Sequence, residues 1–423
     1  MSYPQPHIVV GAQWGDEGKG RMVDYFAEKA DVVCRYQGGN NAGHTVINHL
    51  GEFKLHLLPS GVFDPNTTNV LGAGMVIDLA GLASELDALA AKNIHPKLVI
   101  SDRATLVLPL HRLEDELEEA RLGDQAFGST RNGIAYAYAD RFAKKALQLG
   151  ALRHPETLRQ NLKRWYDWKL PMLTGLYGEQ NWPTFEALLT DLQWLAERFG
   201  PMITDLTAWQ RQQPKDSRLL FEAQLGALRD IQQGNYPFTT SSSVLSGSAQ
   251  VLSGLRFPAA PRVTAVAKAF STCVGEGPFP TAMTDMTTLR ESANEYGART
   301  GRARDIGHFD AVATLYGVRM QNADEVALTK LDCLSGQETL KVCTAYELDG
   351  ETLTDYPLTN DLYRVTPVYE TWPGWTDDLQ DCRSYEALPE AAKAYIERIE
   401  ALIDCPIRYV SVGPEREQLI VRY

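Results

Sequence analysis

Residues Gly11 to Asp24 read "GAQWGDEGKGRMVD". They follow an apolar run, "HIVVG", and open "RMVDYFAEKA", in which Met22, Val23, Phe26 and Ala27 recur at helical spacing. The order is therefore strand, glycine-rich loop, helix. Lys19 lies between Gly18 and Gly20 at the expected helix start, where backbone N–H groups point outward and the helix dipole favours anions. Glycines there let a phosphate approach the backbone closely. The stretch still departs from a P-loop. Gln13 stands where that pattern has its first glycine, and Gly20 stands where Ser or Thr follows the lysine. It also carries two carboxylates, Asp16 and Glu17, where phosphates would approach. A carboxylate there is repulsive unless a divalent cation lies between or it takes a proton, and Mg²⁺ favours a carboxylate together with phosphate oxygens. Asp16 thus reads as a metal ligand, a general base, or both. Helix capping is the plainer structural alternative.

Beyond the helix, "DVVCRY" reads as a second β-branched strand running into the polar loop "QGGNNAGHT", and "VINHLGEFKLHLLPSG" as a hairpin. From about 76 to 120 the pattern is helical, interrupted by the strand-like "KLVISD". From 155 to 212 it is almost all helical and rich in Trp. Strand-bearing segments resume with "RLLFEAQLG", "VTAVAKAFST" and "EVALTKLDCLSG". "TLKVCTAYELDG" belongs either to the same sheet or to a C-terminal extension. "LPEAAKAYIERIEALIDCPIRYVSVGP" reads as a helix feeding a last strand. The expected fold is α/β, with a large, mostly parallel central sheet flanked by helices, P-loop-NTPase-like. It is expected to form one domain over residues 1–423, with a helical insertion at about 100–212.

The chain has 423 residues, 44% of them hydrophobic, as in a folded globular protein. Its net charge of -13, from 41 basic and 54 acidic side chains, argues against a nucleic-acid or anionic-membrane partner. A small anionic ligand held by local Lys and Arg remains compatible. Cysteines at 34, 273, 333, 343, 382 and 405 form neither a CxxC pair nor a zinc spacing. With no visible signal peptide or membrane span, the expected location is cytoplasmic.

Three further stretches carry chemistry. In the loop Gln37 to Thr45, Asn40 and Asn41 offer amides, and His44 can donate a proton or hydrogen bond to developing charge. "LTKLD", Leu328 to Asp332, has the strand-end Lys-x-Asp of guanine-nucleotide binders. One carboxylate there accepts from guanine N1–H and N2–H₂, a donor pair that adenine lacks. "GARTGRARD", Gly297 to Asp305, gathers Arg299, Arg302 and Arg304 into a glycine-bearing loop suited to carboxylate or phosphate.

Taken together, "GAQWGDEGKG", "VCRYQGGNNAGHT", "KLHLLPSG", "VGEGPFPT", "GARTGRAR", "LTKLDCLSG", "YETWPGW" and "SVGP" resemble the adenylosuccinate synthetase family, in that family's order and over nearly the whole chain. The resemblance implies a cytoplasmic homodimer that makes adenylosuccinate, GDP and phosphate from IMP, GTP and L-aspartate with Mg²⁺. It implies that Asp16 removes the purine N1 proton and ligates Mg²⁺, with the Gly43 carbonyl as second protein ligand. O6 of the purine then attacks the γ-phosphate, His44 acts as acid, Lys19 supports the phosphates, and the aspartate amine displaces phosphate. On the GTP side it implies Gly15, Glu17, Gly18, Lys19, Gly20, Gly43, His44, Thr45 and Arg304, with Lys330, Leu331, Asp332, Ser411, Val412 and Gly413 at the base. The IMP residues implied are Asp16, Lys19, Asn41, Ala42, Gly43, His44, Thr130, Lys144, Leu225, Thr240 and Arg302. The aspartate residues implied are Ala298, Arg299, Thr300, Gly301, Arg302 and Arg304.

The sequence departs from the family's pattern on the acceptor side. The family's GTTGRGIGPAY is "GSTRNGIAYAY", with Arg131 and Asn132 in place of Gly and Arg. Lys144 replaces an Arg that reaches a neighbouring subunit's nucleotide, keeping the charge but losing the fork. FEGAQG is "FEAQLG", so Leu225 stands where a nucleotide-contacting Gln is expected, with Gln224 adjacent. Cys273 replaces an Arg, and Arg299 one of two Thr. These changes leave open a different acceptor, such as the 2-amino purine nucleotide dGMP. A non-catalytic guanine-nucleotide switch is the remaining alternative, and the presence of both Asp16 and His44 disfavours it.

Overall fold

The computed structural model of the protein describes residues 4–41, 43–285, 287–297 and 301–423. The strand His7–Gly11 sits mid-sheet, parallel to Arg262–Lys268 on one side and Leu219–Glu222 on the other. Beyond Arg262–Lys268 come Glu325–Thr329, Ile407–Ser411 and the edge strand Leu419–Val421. Beyond Leu219–Glu222 come Val32–Gly38, Thr68–Ile77, Lys97–Ser101 and Ile203–Thr204. All of these pair in parallel except Leu419–Val421. Ile8, Val9, Val10, Val33 and Ala265 are fully buried, as expected of parallel strands covered on both faces.

The helices Pro109–Leu122, Ile134–Phe142, Pro155–Tyr177 and Phe185–Phe199 fill much of the region read as an insertion. They are not walled off from the sheet. Leu158, Leu162, Trp165, Leu188 and Leu192 share one apolar core with Leu71, Met75, Ile77 and Ile100 of the sheet and Val46 and Phe53 of the hairpin His44–Asn48/Gly51–Leu55. The chain then rejoins the sheet at Ile203–Thr204. Inside the helices, Asp140 accepts from Trp165 Nε1 at 2.7 Å and Lys169 Nζ at 3.0 Å and lies 2.9 Å from His111 Nε2, joining three helices through one carboxylate.

Thr339–Leu348, left open between the main sheet and an extension, lies outside the main sheet. It pairs antiparallel with Thr366–Pro373 and Glu351–Leu353 in a separate small sheet. The helix Glu390–Ile403 feeds Ile407–Ser411 as the sequence pattern indicates. Among the described residues, no helix is long and apolar enough to cross a membrane.

One close approach sets the height of the first loop. The helix Ala311–Gln321 crosses beneath it at Gly317, where an added Cβ would stand 1.8 Å from the Ala12 carbonyl oxygen. Gly317→Ala is therefore expected to destabilise the protein by about 2–4 kcal/mol. The check is chemical denaturation, in which the midpoint should fall at unchanged m-value.

Candidate active site

The carboxyl ends of the parallel strands open onto a cleft of about 790 Å³, the usual ligand position in open α/β sheets. The acidic pair of the first loop divides at this edge. Glu17 turns inward and is fully buried. Its carboxylate accepts from the Gln13 N–H at 3.1 Å and the Gly15 N–H at 2.9 Å, and takes Lys19 Nζ at 2.5 Å. Gly226 and Gly11 make room for it, since a Cβ on either would lie 2.2 to 2.5 Å from its oxygens. Gln13, the residue that breaks the P-loop pattern, braces the loop against the next strand: its Oε1 accepts from the Lys268 N–H at 3.0 Å. Glu17, implied on the GTP side by the resemblance, thus has its carboxylate turned into its own loop at the edge of the cleft.

Asp16 turns the other way. Its backbone is left-handed, with φ +59, and its carboxylate stands in the cleft, 3.0 Å from Arg304 Nε. The capping alternative fails. Gly18 is the N-cap of Lys19–Ala27, and no side chain caps that helix.

His44 faces the same end of the cleft. A Cβ on Gly20 would come within 2.9 Å of the His44 ring, so Gly20 is what lets the imidazole close on the helix start. His44 Nε2 lies 3.4 Å from Glu222 Oε1, and Glu222 is itself held by the Ser60 N–H at 2.8 Å and the Ser60 hydroxyl at 2.9 Å. Burial, then the charges of Arg35, His56 and Lys19, hold the His44 pKa well below the ordinary imidazole value. His44 is therefore neutral at physiological pH, and among the described residues its Nε2 has no hydrogen-bond partner. Burial raises the Glu222 pKa, against the nearby Arg35.

Leu225, which stands where the family pattern has Gln, lines the cleft together with its neighbour Gln224. Its backbone is left-handed (φ +63), and it brings an apolar side chain to the cleft beside Gly15. The amide comes from Gln224, whose Nε2 donates to Asn41 Oδ1 at 2.5 Å and whose Oε1 accepts from Arg35. Asn41 in turn donates to the Thr240 hydroxyl at 3.4 Å. A guanidinium lies beside Cys273, although neither residue lines the cleft. Arg229 Nη2 lies 2.9 Å from Cys273 Sγ and donates to the Val274 carbonyl at 2.7 Å, while Nη1 donates to the Phe238 carbonyl at 2.6 Å.

At the far end of the cleft, Lys330 is left-handed (φ +63) and donates to the Ala293 carbonyl at 2.7 Å, so the chain turns and Asp332 faces the cleft. Burial raises the Asp332 pKa, with Lys330 and then Arg21 acting against it. Gly43, Thr45, Gly301, Ser411 and Gly413 join the wall. Leu331 and Val412 are fully buried, so their side chains serve the core.

Thr130, Lys144 and Arg302 are not part of that wall. Thr130 accepts from Asn132 Nδ2 at 2.9 Å, and Asn132 is buried, while Arg131 is exposed with φ +56. Lys144 is exposed beyond the end of Ile134–Phe142. Arg302 lies 3.1 Å from Glu276. The residues expected at Ala42, Ala298, Arg299 and Thr300 lie outside the described residues.

Sequence reasoning passed over Glu222, Arg35, Glu295 and Lys268. Each is a polar or charged residue inside or just after an apolar strand or helix pattern, the one signal that could have flagged it. Because the imidazole depends on the space at position 20, Gly20→Ala is expected to lower kcat by about tenfold or more while the thermal midpoint moves little. Steady-state kinetics beside a melting curve checks it.

The comparisons agree with this geometry. The sequence model of the family described as adenylosuccinate synthetase matches residues 8–420. Adenylosuccinate synthetase 2 of Pseudoalteromonas translucida (strain TAC 125) is 52% identical over 422 residues, covering 98% of this chain and 99% of that protein. The fully ligated adenylosuccinate synthetase from Plasmodium falciparum superposes with a TM-score of 0.92 at 32% identity, over 99% of this chain and 100% of that one. A cyanophage S-2L succinoaminodeoxyadenylate synthetase, bound to dGMP and to dATP as an energy donor, shares the fold at a TM-score of 0.65 and 19% identity, over 99% of this chain and 96% of that one. The chain belongs to the adenylosuccinate synthetase family of ligases.

Proposed function

We propose that the protein joins L-aspartate to C6 of IMP at the expense of GTP, giving adenylosuccinate, GDP and phosphate. The observation that carries this reading is the position of Asp16. It is a carboxylate displayed in the cleft by a left-handed backbone, with Lys19 and His44 at the same end and Asp332 at the other. On this reading Asp16 accepts the N1 proton of the purine, and O6 becomes the nucleophile toward the γ-phosphorus. Neutral His44 donates to the oxygen that gains charge. Lys19 and the N–H groups at the start of Lys19–Ala27 receive phosphate oxygens. Gln224, linked to Asn41 and Thr240, presents its amide to the acceptor nucleotide. Asp332 receives N1–H and N2–H₂ of the donor guanine. Gly301 and Arg302 belong to the loop proposed to hold the aspartate carboxylates, and Lys144 to the contact with a second copy of the chain.

The cleft suits Mg²⁺. Among the described residues no group of three or more His, Cys, Asp or Glu could hold a metal by itself. A single carboxylate in a phosphate-accepting cleft is the donor set of an ion that takes its other ligands from substrate. Asp16 and the Gly43 carbonyl would hold it. When bound, Mg²⁺ offsets the charge of the phosphate oxygens.

A second reading keeps the chemistry and changes the acceptor to a 2-amino purine nucleotide such as dGMP. It draws on Leu225 and Asn132, which stand at acceptor positions with side chains unlike the family's. Purified protein with GTP, Mg²⁺ and aspartate, offered IMP, GMP and dGMP in turn, separates the two. GDP release and a product of adenylosuccinate mass are expected with IMP, and turnover with dGMP alone would overturn the main reading. Asp332→Asn is expected to cut the preference for GTP over ATP by about tenfold or more, since the amide presents one acceptor where the carboxylate presents two. Competition kinetics with the two nucleotides measures it, and an unmoved ratio counts against the guanine assignment.

A further inference from the structure

Lys268 ends the strand Arg262–Lys268 and is 1% exposed, while Glu295 is fully buried. Neither has accessible surface to offer a substrate. Lys268 Nζ lies 2.8 Å from both carboxylate oxygens of Glu295 and donates to the Thr272 hydroxyl at 2.7 Å. The same carboxylate holds Arg304 Nη1 at 2.5 Å, and Arg304 Nε reaches Asp16 Oδ2 at 3.0 Å. The four side chains form one line of alternating charge, Lys268, Glu295, Arg304, Asp16, running from the core into the cleft.

This line joins the motifs on which the reaction depends. The Lys268 N–H is bonded by Gln13 of the first loop. Glu295 and Arg304 are paired through the Arg304 N–H to Glu295 carbonyl bond at 3.0 Å, next to the Tyr296–Ala303 bridge and two residues from Arg302. Lys330 of the guanine motif holds the Ala293 carbonyl on the same segment. A buried ion pair is on its own a weak source of stability, because desolvation offsets most of the attraction. It is, however, a rigid anchor for a third charge. Burial acts to raise the Glu295 pKa, yet Lys268 and Arg304 bring it down to about 2, so the anchor stays ionised.

We infer that the Lys268–Glu295 pair is a positioning device. It fixes the Arg304 guanidinium at one end and thereby sets where the other end meets Asp16 and the donor phosphates. Neither residue touches substrate, so both act through Arg304. The inference rests on the proposed synthetase reaction for its kinetic readout, and on GTP binding for a readout that needs no turnover.

The decisive comparison is Glu295→Gln alone against Lys268→Met/Glu295→Gln. The single change leaves a buried ammonium without its counter-charge, and the thermal midpoint is expected to drop. The double change removes both charges and is expected to recover most of the midpoint. Its kcat/KM with aspartate varied is still expected to be down by about tenfold or more, and calorimetric GTP affinity in Mg²⁺ by about fivefold or more. A purely structural pair predicts that activity and GTP affinity return with the midpoint, and that result overturns the inference. Glu295→Asp is a further variant that needs no rescue. It keeps the charge but draws the carboxylate back by one methylene from both Lys268 and Arg304, and parent-like kinetics and GTP affinity in it would also overturn the inference. A parent protein inactive with every acceptor counts against the reaction, while the GTP affinities of the variants still decide the pair.

Discussion

The carboxylate of Glu17, folded back inside its own loop, is the contact on which the site is built. It occupies two backbone N–H groups, those of Gln13 and Gly15, and one ammonium, that of Lys19. In a P-loop such donors face the phosphates. Here an internal anion bonds them, bracing the loop from within and leaving Lys19 two further N–H donors. Everything at the cleft edge follows from this. With the loop closed on Glu17, the next carboxylate out is Asp16, and it can only point into the cleft. The two adjacent acidic residues thus have opposite jobs, one holding the loop and the other facing the chemistry.

The rest of the cleft is arranged to keep charges in fixed places. Glu222 lies beside His44, Arg35 fixes Gln224, and Glu295 grips Arg304. Each is a buried charged or polar group with a named partner, and each partner faces the cleft. The site therefore has an inner layer of ionic contacts and an outer layer of groups that face ligands. That division suits a reaction between two nucleotides and an amino acid, in which several anionic substrates must be held apart from one another's charge until they react.

Much of the fold was legible in the sequence. "HIVVG" and "DVVCRY" announce parallel strands by their unbroken apolar runs, and the helix after Lys19 by its spacing. The polar loops lie at strand ends because that is where a parallel sheet leaves its backbone free. The separate sheet of Thr339–Leu348 was not legible, since a strand's pattern names its faces and not its partner. In the site, the residues on glycine-rich loops stood out, while Glu222, Lys268 and Glu295 did not. They sit within or beside apolar elements, and only a third dimension brings them to Arg304 or His44. At Leu225 and Cys273 the sequence shows a departure from the family pattern, and only the structure shows the neighbours there, Gln224 bonded to Asn41 and Arg229 beside Cys273.

The left-handed backbone at Asp16 bears on how this protein can change. A non-glycine residue in that conformation is held about 1 kcal/mol above its relaxed state. A glycine there would relax the loop and give a sturdier molecule with no carboxylate at that point of the cleft. Robustness and chemistry pull in opposite directions at this one position. Lineages that no longer needed the reaction would be free to drift toward the sturdier form, and a carboxylate that remains under that tension marks a chain still kept for its chemistry.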